Sequence, residues 1–131
     1  MKKEKEKELV NKYPNLFRDY CGDMRTTCLA WGFECGGGWY DLIDSIGKRL
    51  IELNLEDKVI AVQVKEKFGG LRFYYNGVHL SDIEFDKVRS IIDKAEEESY
   101  STCEVCGDKG EVRGDGWLKT LCGDCNEKRN K

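Results

Sequence analysis

Four of the seven cysteines stand as two pairs in the stretch CEVCGDKGEVRGDGWLKTLCGDC: Cys103 with Cys106, and Cys122 with Cys125. Two residues lie inside each pair and fifteen between the pairs. A Cys-x-x-Cys turn brings two sulfurs to one edge of a tetrahedron, and two such turns complete an all-sulfur shell. The spacing therefore predicts one structural Zn2+ held by Cys103, Cys106, Cys122 and Cys125. Four thiolates leave no open position for a catalytic water. Redox dithiol and disulfide readings are the alternatives. The module is too small to bury much surface, so the metal is expected to supply much of its stability.

The three remaining cysteines, Cys21, Cys28 and Cys35, are seven apart. A second metal site would need a fourth ligand, and His79 is the one histidine, so buried apolar thiols are the simpler reading. Cys35 precedes Gly36-Gly37-Gly38 and a predicted helix, where the helix dipole would lower a thiol pKa. No histidine base lies near it in sequence, which argues against a nucleophile.

A second chemistry is suggested by VKEKFGGLRFYYNG, Val64 to Gly77. With Gly69-Gly70 as a two-residue hairpin loop, Lys67 faces Arg72 and Lys65 faces Tyr74. Lys65, Lys67, Arg72 and Tyr74 then share one face. Opposed like charges destabilise a hairpin by a fraction of ~1 kcal/mol unless solvated or bridged by an anion. The triple glycine, flanked by Trp31, Trp39 and Tyr40, adds backbone amides at a helix start beside aromatic rings. It lacks the Gly-Lys-Ser/Thr of a phosphate-binding loop. Aromatic rings in the core and glycines in a plain loop are the competing explanation. Together the two surfaces suit a small anionic aromatic ligand, plausibly a nucleotide.

The elements that must position these groups follow from periodicity. Lys/Glu alternation over residues 2–8 predicts a charged helix ended at Pro14. Leu42, Ile43, Ile46, Leu50, Ile51 and Leu53 recur mostly at helical spacing from Trp39 to Leu53, which predicts a helix with one buried face and Asn54 as its stop. Val59–Lys67 alternates as a strand, with Ile60, Val62 and Val64 on one side. Leu71–Tyr75 returns, and Asn76-Gly77 turns toward a third short strand at Val78–Leu80. Ser81 and Glu84 form a capping-box pattern ahead of a helix over 82–99 whose buried stripe is Phe85, Val88, Ile91, Ile92 and Ala95. Small hairpin arms at Glu111–Arg113 and Trp117–Leu121 flank GDG, with a short helix after Cys125. The expected fold is α+β, helices packed on a small antiparallel hairpin or sheet. A body over residues 1–100 carries a four-cysteine zinc-ribbon or knuckle module over 101–131.

Composition narrows the function. The chain has 131 residues, 36% of them charged, and a formal net charge of −3. That balance argues against a general nucleic-acid binder. Residues 101–131 hold six acids and six bases, which offers a phosphate backbone little attraction. No apolar run approaches the ~20 residues of a membrane helix. An odd cysteine count with metal spacing points to a reducing, cytosolic compartment. Glu34, Asp41 and Asp44 are the carboxylates a metal-assisted hydrolase would use, but their spacing carries no catalytic pattern, and a non-enzymatic protein is expected.

The blocks CLAWGFECGGGWYDLI, VQVKEKFGGLRFYYNG and CEVCG…GWLKTLCGDC resemble those of a widespread family of small uncharacterised proteins found in bacterial and phage genomes. The resemblance spans about Tyr13 to Cys125 and transfers no catalytic residue. By analogy with small phage proteins that trap nucleotide signals of bacterial immunity, it implies sequestration of such a ligand. A protein adaptor or inhibitor of a host protein, acting through the zinc module and exposed aromatics, is the alternative. Weak nucleic-acid binding is a further one.

Overall fold

A computed structural model describes residues 1–20, 25 and 27–129. Cys21 and the side chain of Trp31 lie outside the described residues. The fold is α+β. Helix α1 (Lys3–Lys12) leads through turns and a 3-10 turn at Cys28–Trp31 to strand β1 (Phe33–Glu34). Helix α2 (Tyr40–Glu52), strands β2 (Val59–Lys67) and β3 (Gly70–Gly77), and helix α3 (Asp82–Ser99) follow. The tail holds β4 (Glu111–Arg113), β5 (Lys119–Leu121) and α4 (Gly123–Arg129).

Helix α2 buries Leu42, Ile43, Ile46 and Leu50, while Ile51 and Leu53, expected on the same face, fall past its edge at the last turn and stay exposed; the helix ends in a Schellman turn. Asn54 takes φ +57°, its N–H donates to the Ile51 carbonyl at 3.0 Å, and the Leu55 N–H donates to Leu50 at 2.8 Å. Asparagine tolerates this left-handed position well, which is why it stops the helix. Helix α3 opens on the capping box: the Ser81 hydroxyl accepts from Glu84 N–H while the Glu84 carboxylate accepts from Ser81 N–H. Its buried stripe is Val88, Ile91, Ile92 and Ala95. Phe85 stays 37% exposed, packed 6.3 Å from the Tyr75 ring, so it edges the stripe rather than joining it.

The main sheet runs β1-β2-β3. Its third strand is β1, parallel to β2 with Phe33 opposite Val64, and not Val78–Leu80. There the chain turns, with His79 at φ +53° and Val78 N–H bonded to the Lys58 carbonyl at 2.8 Å. A bulge between Ala61 and Gln63 shifts the β2 register. An extra residue flips the alternation, so Val59 and Ala61 join Val64 in the core while Ile60 and Val62 are half-buried. The expected grouping of Ile60 and Val62 with Val64 ignored that insertion.

Strand β3 lies at the sheet edge, where unpaired N–H groups invite pairing with other chains. Helix α3 satisfies two of them with side chains: Leu71 N–H donates to Ser99 Oγ and Phe73 N–H to Glu96 Oε2, each at 2.8 Å. Core aromatics close over the sheet, Phe17 lying 5.1 Å from Phe33 and 6.2 Å from Phe73 between ring centres.

Buried carboxylates fasten the loops. Glu6 accepts from Phe33 N–H at 2.7 Å and Tyr20 Oη at 2.9 Å. Glu56 accepts from Leu16 N–H and the Asn15 amide. Asp44 ties α1 to α2, accepting from Tyr13 Oη at 2.6 Å and from Lys12 Nζ at 2.5 Å, with Lys48 Nζ at 3.3 Å. Burial pushes the Asp44 carboxyl up, but its bonds to Lys12, Tyr13 and Lys48 outweigh that and hold it below the ordinary value. The unfolded chain thus takes up this proton more readily than the folded one. The stability Asp44 contributes is present above its unfolded pKa of about 4 and is lost as pH falls through the lower folded value. Asp44→Asn is expected to cost about 1–3 kcal/mol at pH 7 and to flatten the acid limb of a urea-denaturation series between pH 5 and 2. An unchanged acid limb would show that the group titrates alike in both states.

Among the described residues no helix is long and apolar enough to cross a membrane.

Candidate functional site

The sulfurs of Cys103, Cys106, Cys122 and Cys125 all lie within 4.8 Å of one another, with Cys106 and Cys122 Sγ 3.6 Å apart. A tetrahedral thiolate shell with bonds of about 2.3 Å requires sulfur–sulfur edges of about 3.8 Å. The four cysteines are positioned to hold one metal ion. Each pair sits on a knuckle whose amides turn inward: Asp108 N–H points to Cys106 Sγ at 3.5 Å and Cys125 N–H to Cys122 Sγ at 3.4 Å. Burial pushes the Cys103 thiol up, yet backbone N–H groups of Cys122, Cys106 and Val105 outweigh it and bring the thiol down to about 6. Such amides favour the thiolate a metal needs. Gly107, at φ +87°, lets the chain double back behind the first knuckle.

The knuckle is seated on the body, and its seat is the triple glycine. Gly38 N–H donates to the Glu104 carbonyl at 2.7 Å. Gly36 N–H donates to the Glu104 carboxylate at 2.9 Å, and the Trp39 indole N–H to the Thr102 carbonyl at 2.8 Å. A Cβ on Gly38 would overlap the Cys103 carbonyl oxygen and stand 2.6 Å from Gly107 N, and one on Gly36 would overlap the Glu104 carbonyl. The amides expected to greet a ligand are thus spent on residue 104. Trp39 is fully buried and Tyr40 half-buried beside Lys5 and Lys12. Neither Trp39 nor the glycine pair forms an open stacking platform. Backbone-to-backbone approach is the reason these positions are glycine.

The hairpin tip clasps the module from the other side. The Thr120 hydroxyl donates to the Gly69 carbonyl at 2.6 Å. Lys119 bridges Glu104 at 3.4 Å and Glu66 at 4.0 Å. The cysteine stretch, the glycine loop and the hairpin tip therefore meet in one assembly.

The turn itself differs from expectation. Lys67 pairs with Gly70 and Lys65 with Arg72, so the loop is Phe68-Gly69, with φ +54° and +85°. Positive φ at both central residues is the type I′ pattern, one of the two that match strand twist. Gly69 supplies one, and its N–H is held by Glu66 Oε2 at 2.9 Å. Tyr100 lies across Gly70, where any Cβ would strike its ring, so Gly70 is needed in the strand. The pairing slips by two positions, which preserves parity: Lys65, Lys67, Arg72 and Tyr74 do share the face opposite Val64, Leu71 and Phe73. Lys65 is half-buried, Lys67 and Tyr74 are exposed. The Arg72 guanidinium stands 6.0 Å from the Tyr100 ring. Glu34 of β1 pairs beside Lys65, so the row across the sheet reads acid, base, base.

Lys67 lines a cleft of about 280 Å³ with Glu66, Phe68, Gly116, Trp117 and Leu118. Gly36 lines another, of about 500 Å³, with Glu104, Val105, Lys119 and α4 residues. The two share no lining residue, so the hairpin and the glycine loop do not enclose one cavity there. Phe68 and Trp117 escaped the sequence reading. Trp117 had a signal, since it follows a polar GDG, whereas Phe68 enters the turn only through the slipped pairing. Cys35 is buried, and burial first, then Glu104, push its thiol up to about 12, the reverse of the lowering expected from a helix start. Cys28 is exposed.

Comparison with family models, with curated proteins and with solved structures returns no match for this chain.

Proposed function

We propose that this chain is a non-enzymatic binding protein, stapled by one structural Zn2+ on Cys103, Cys106, Cys122 and Cys125, that takes a small anionic ligand of nucleotide type at its hairpin. The observation that carries the reading is the tetrathiolate cluster seated in the glycine loop. A closed sulfur shell suits Zn2+ and leaves no position for substrate. Asp44, the one buried carboxylate of the hydrolase trio, is taken up by Lys12, Tyr13 and Lys48. The basic side of the hairpin supports an anionic ligand, and trapping a nucleotide signal in the manner of small phage proteins is the role it fits.

The tests are elemental analysis of purified protein and calorimetry. One Zn2+ per chain is expected. In a panel of mono-, di- and cyclic nucleotides, at least one member should bind tighter than about 1 mM, or about −4 kcal/mol, and lose that affinity in Lys65→Glu/Lys67→Glu. Absence of any such member removes the nucleotide reading and leaves the zinc protein. The exposed Phe68 and Trp117 favour a second reading, a surface for a protein partner. Capture of a host protein, lost in Trp117→Ala, would support it.

A further inference from the structure

Phe68 is spent in an unusual way. It sits at φ +54°, where a bulky residue is strained and asparagine or glycine is at ease. Its ring is nevertheless not buried: Phe68 is 65% exposed. Packing therefore does not explain why a turn this tight carries phenylalanine, and strain of this kind accumulates where a protein grips something. The second, independent oddity faces the same place. Trp117 is 73% exposed in the loop between β4 and β5, and both rings line the cleft of about 280 Å³. That volume lies just below the range of drug-sized pockets, so it suits one flat ring.

Both rings are carried on fastened elements. The Phe68-Gly69 turn is held by Glu66 at Gly69 N–H and by Thr120 at the Gly69 carbonyl. The Trp117 carbonyl is held by Arg129 at 2.8 Å. The cleft carries one acid and one base, Glu66 and Lys67, and they are engaged differently. Glu66 is already engaged by Gly69 N–H and by Lys119. Lys67 Nζ stands 5.7 Å from the Phe68 ring centre with no carboxylate within salt-bridge distance among the described residues. A flat ring stacked here would carry its negative group toward Lys67, and Lys65 lies two residues farther along the same face.

We propose that Phe68 and Trp117 form a stacking clamp for the base of a phosphate-bearing nucleotide, with Lys67 meeting the phosphate. The proposal rests on the nucleotide reading above and places its ligand at the hairpin tip, where the sheet face beside Glu34 is less favourable to an anion. An aromatic side chain of an acidic peptide has related chemistry. Two exposed rings lining one small cleft beside Lys67 suit a base and its phosphate better than a single aromatic side chain, and favour the nucleotide.

The experiment is calorimetry and tryptophan fluorescence on the full chain with AMP, UMP, ribose 5-phosphate and an eight-residue oligothymidylate. Stacking is worth about 1–3 kcal/mol per base, so Phe68→Asn and Trp117→Ala should each weaken AMP or UMP by roughly five-fold or more. Trp117→Phe should retain most of the affinity. Ribose 5-phosphate, lacking a base, should bind at least ten-fold more weakly than AMP, and base-bearing ligands should quench emission in the parent but not in Trp117→Phe. Phe68→Asn separates clamp from scaffold: relief of strain keeps its melting temperature equal or higher, whereas a structural role would lower it. Tighter binding of the oligothymidylate than of AMP, with the same losses, supports the clamp and identifies a single strand as the source of the base. Binding that depends on Lys65 and Lys67 but ignores both aromatic substitutions overturns the clamp and leaves the nucleotide reading standing. Binding by no probe overturns both. Capture of an acidic aromatic peptide in place of every nucleotide overturns the clamp's assignment in favour of a protein partner.

Discussion

Gly38→Ala is expected to destabilise the protein by about 3 kcal/mol, while Gly37→Ala, one residue away, should stay within about 0.5 kcal/mol of the parent. The contrast follows from what each added methyl meets. At Gly38 it meets the Cys103 carbonyl, the Glu104 backbone and Gly107 N. All three are main chain, one of them on a metal ligand, so no side chain can rotate away. Relief would require lifting the first knuckle off the body, with loss of the Gly38–Glu104 and Trp39–Thr102 hydrogen bonds. At Gly37 the methyl meets nothing within 4 Å. Urea denaturation of the two variants side by side measures the difference. Equal stabilities would show that the seat is soft and that the glycine loop serves some other end.

Stripping the metal should reach farther through the molecule. Without the ion, four sulfurs within 4.8 Å of one another lose the bonds that hold them there. Apparent zinc affinities of comparable modules are about 10–16 kcal/mol near neutral pH, far above what a module of this size gains by burial. Chelation is therefore expected to unfold the tail after Thr102. The effect should not stop there. Trp39 is fully buried with its indole N–H on the Thr102 carbonyl, and the hairpin tip gives its Gly69 carbonyl to Thr120. The melting temperature of the whole domain should fall by 10 °C or more, on the order of 2–3 kcal/mol, and Trp39 emission should shift to the red. Cys103→Ser should reproduce the change without chelator. A stripped protein that melts with the parent would mean that the thiols are passengers.

Much of the scaffold was legible because local signals agreed with the tertiary outcome. The Ser81–Glu84 box and the Val88–Ile92–Ala95 stripe define α3 from within fifteen residues of chain. Asn54 announced the end of α2, and the cysteine spacing announced the metal shell. The misreadings arose where a distant partner decided. Gly69-Gly70 is the easier turn dipeptide, yet Tyr100, thirty residues on, packs over Gly70 and the turn falls on Phe68-Gly69. The bulge after Ala61 leaves no mark in an alternating run. The glycine loop read as a ligand cradle because a knuckle backbone and a phosphate demand the same things, close approach and free amides. Its guest was sixty-six residues downstream, from Gly38 to Glu104. The parity of Lys65, Lys67, Arg72 and Tyr74 survived the slip because strand side chains repeat every two residues.

The order of these pieces along the chain sets an order of assembly. Residues 36–39 and 66–70 precede all four clustered cysteines, and among the described residues the hydrophobic core of the body includes none of residues 101–129. Closing the tail around an ion spans a short loop, which costs little entropy. Delivering that closed tail to its berth spans the distance from Gly38 to Glu104. Nascent chain can thus emerge as a formed body with a vacant berth, and metal availability then decides when the berth fills.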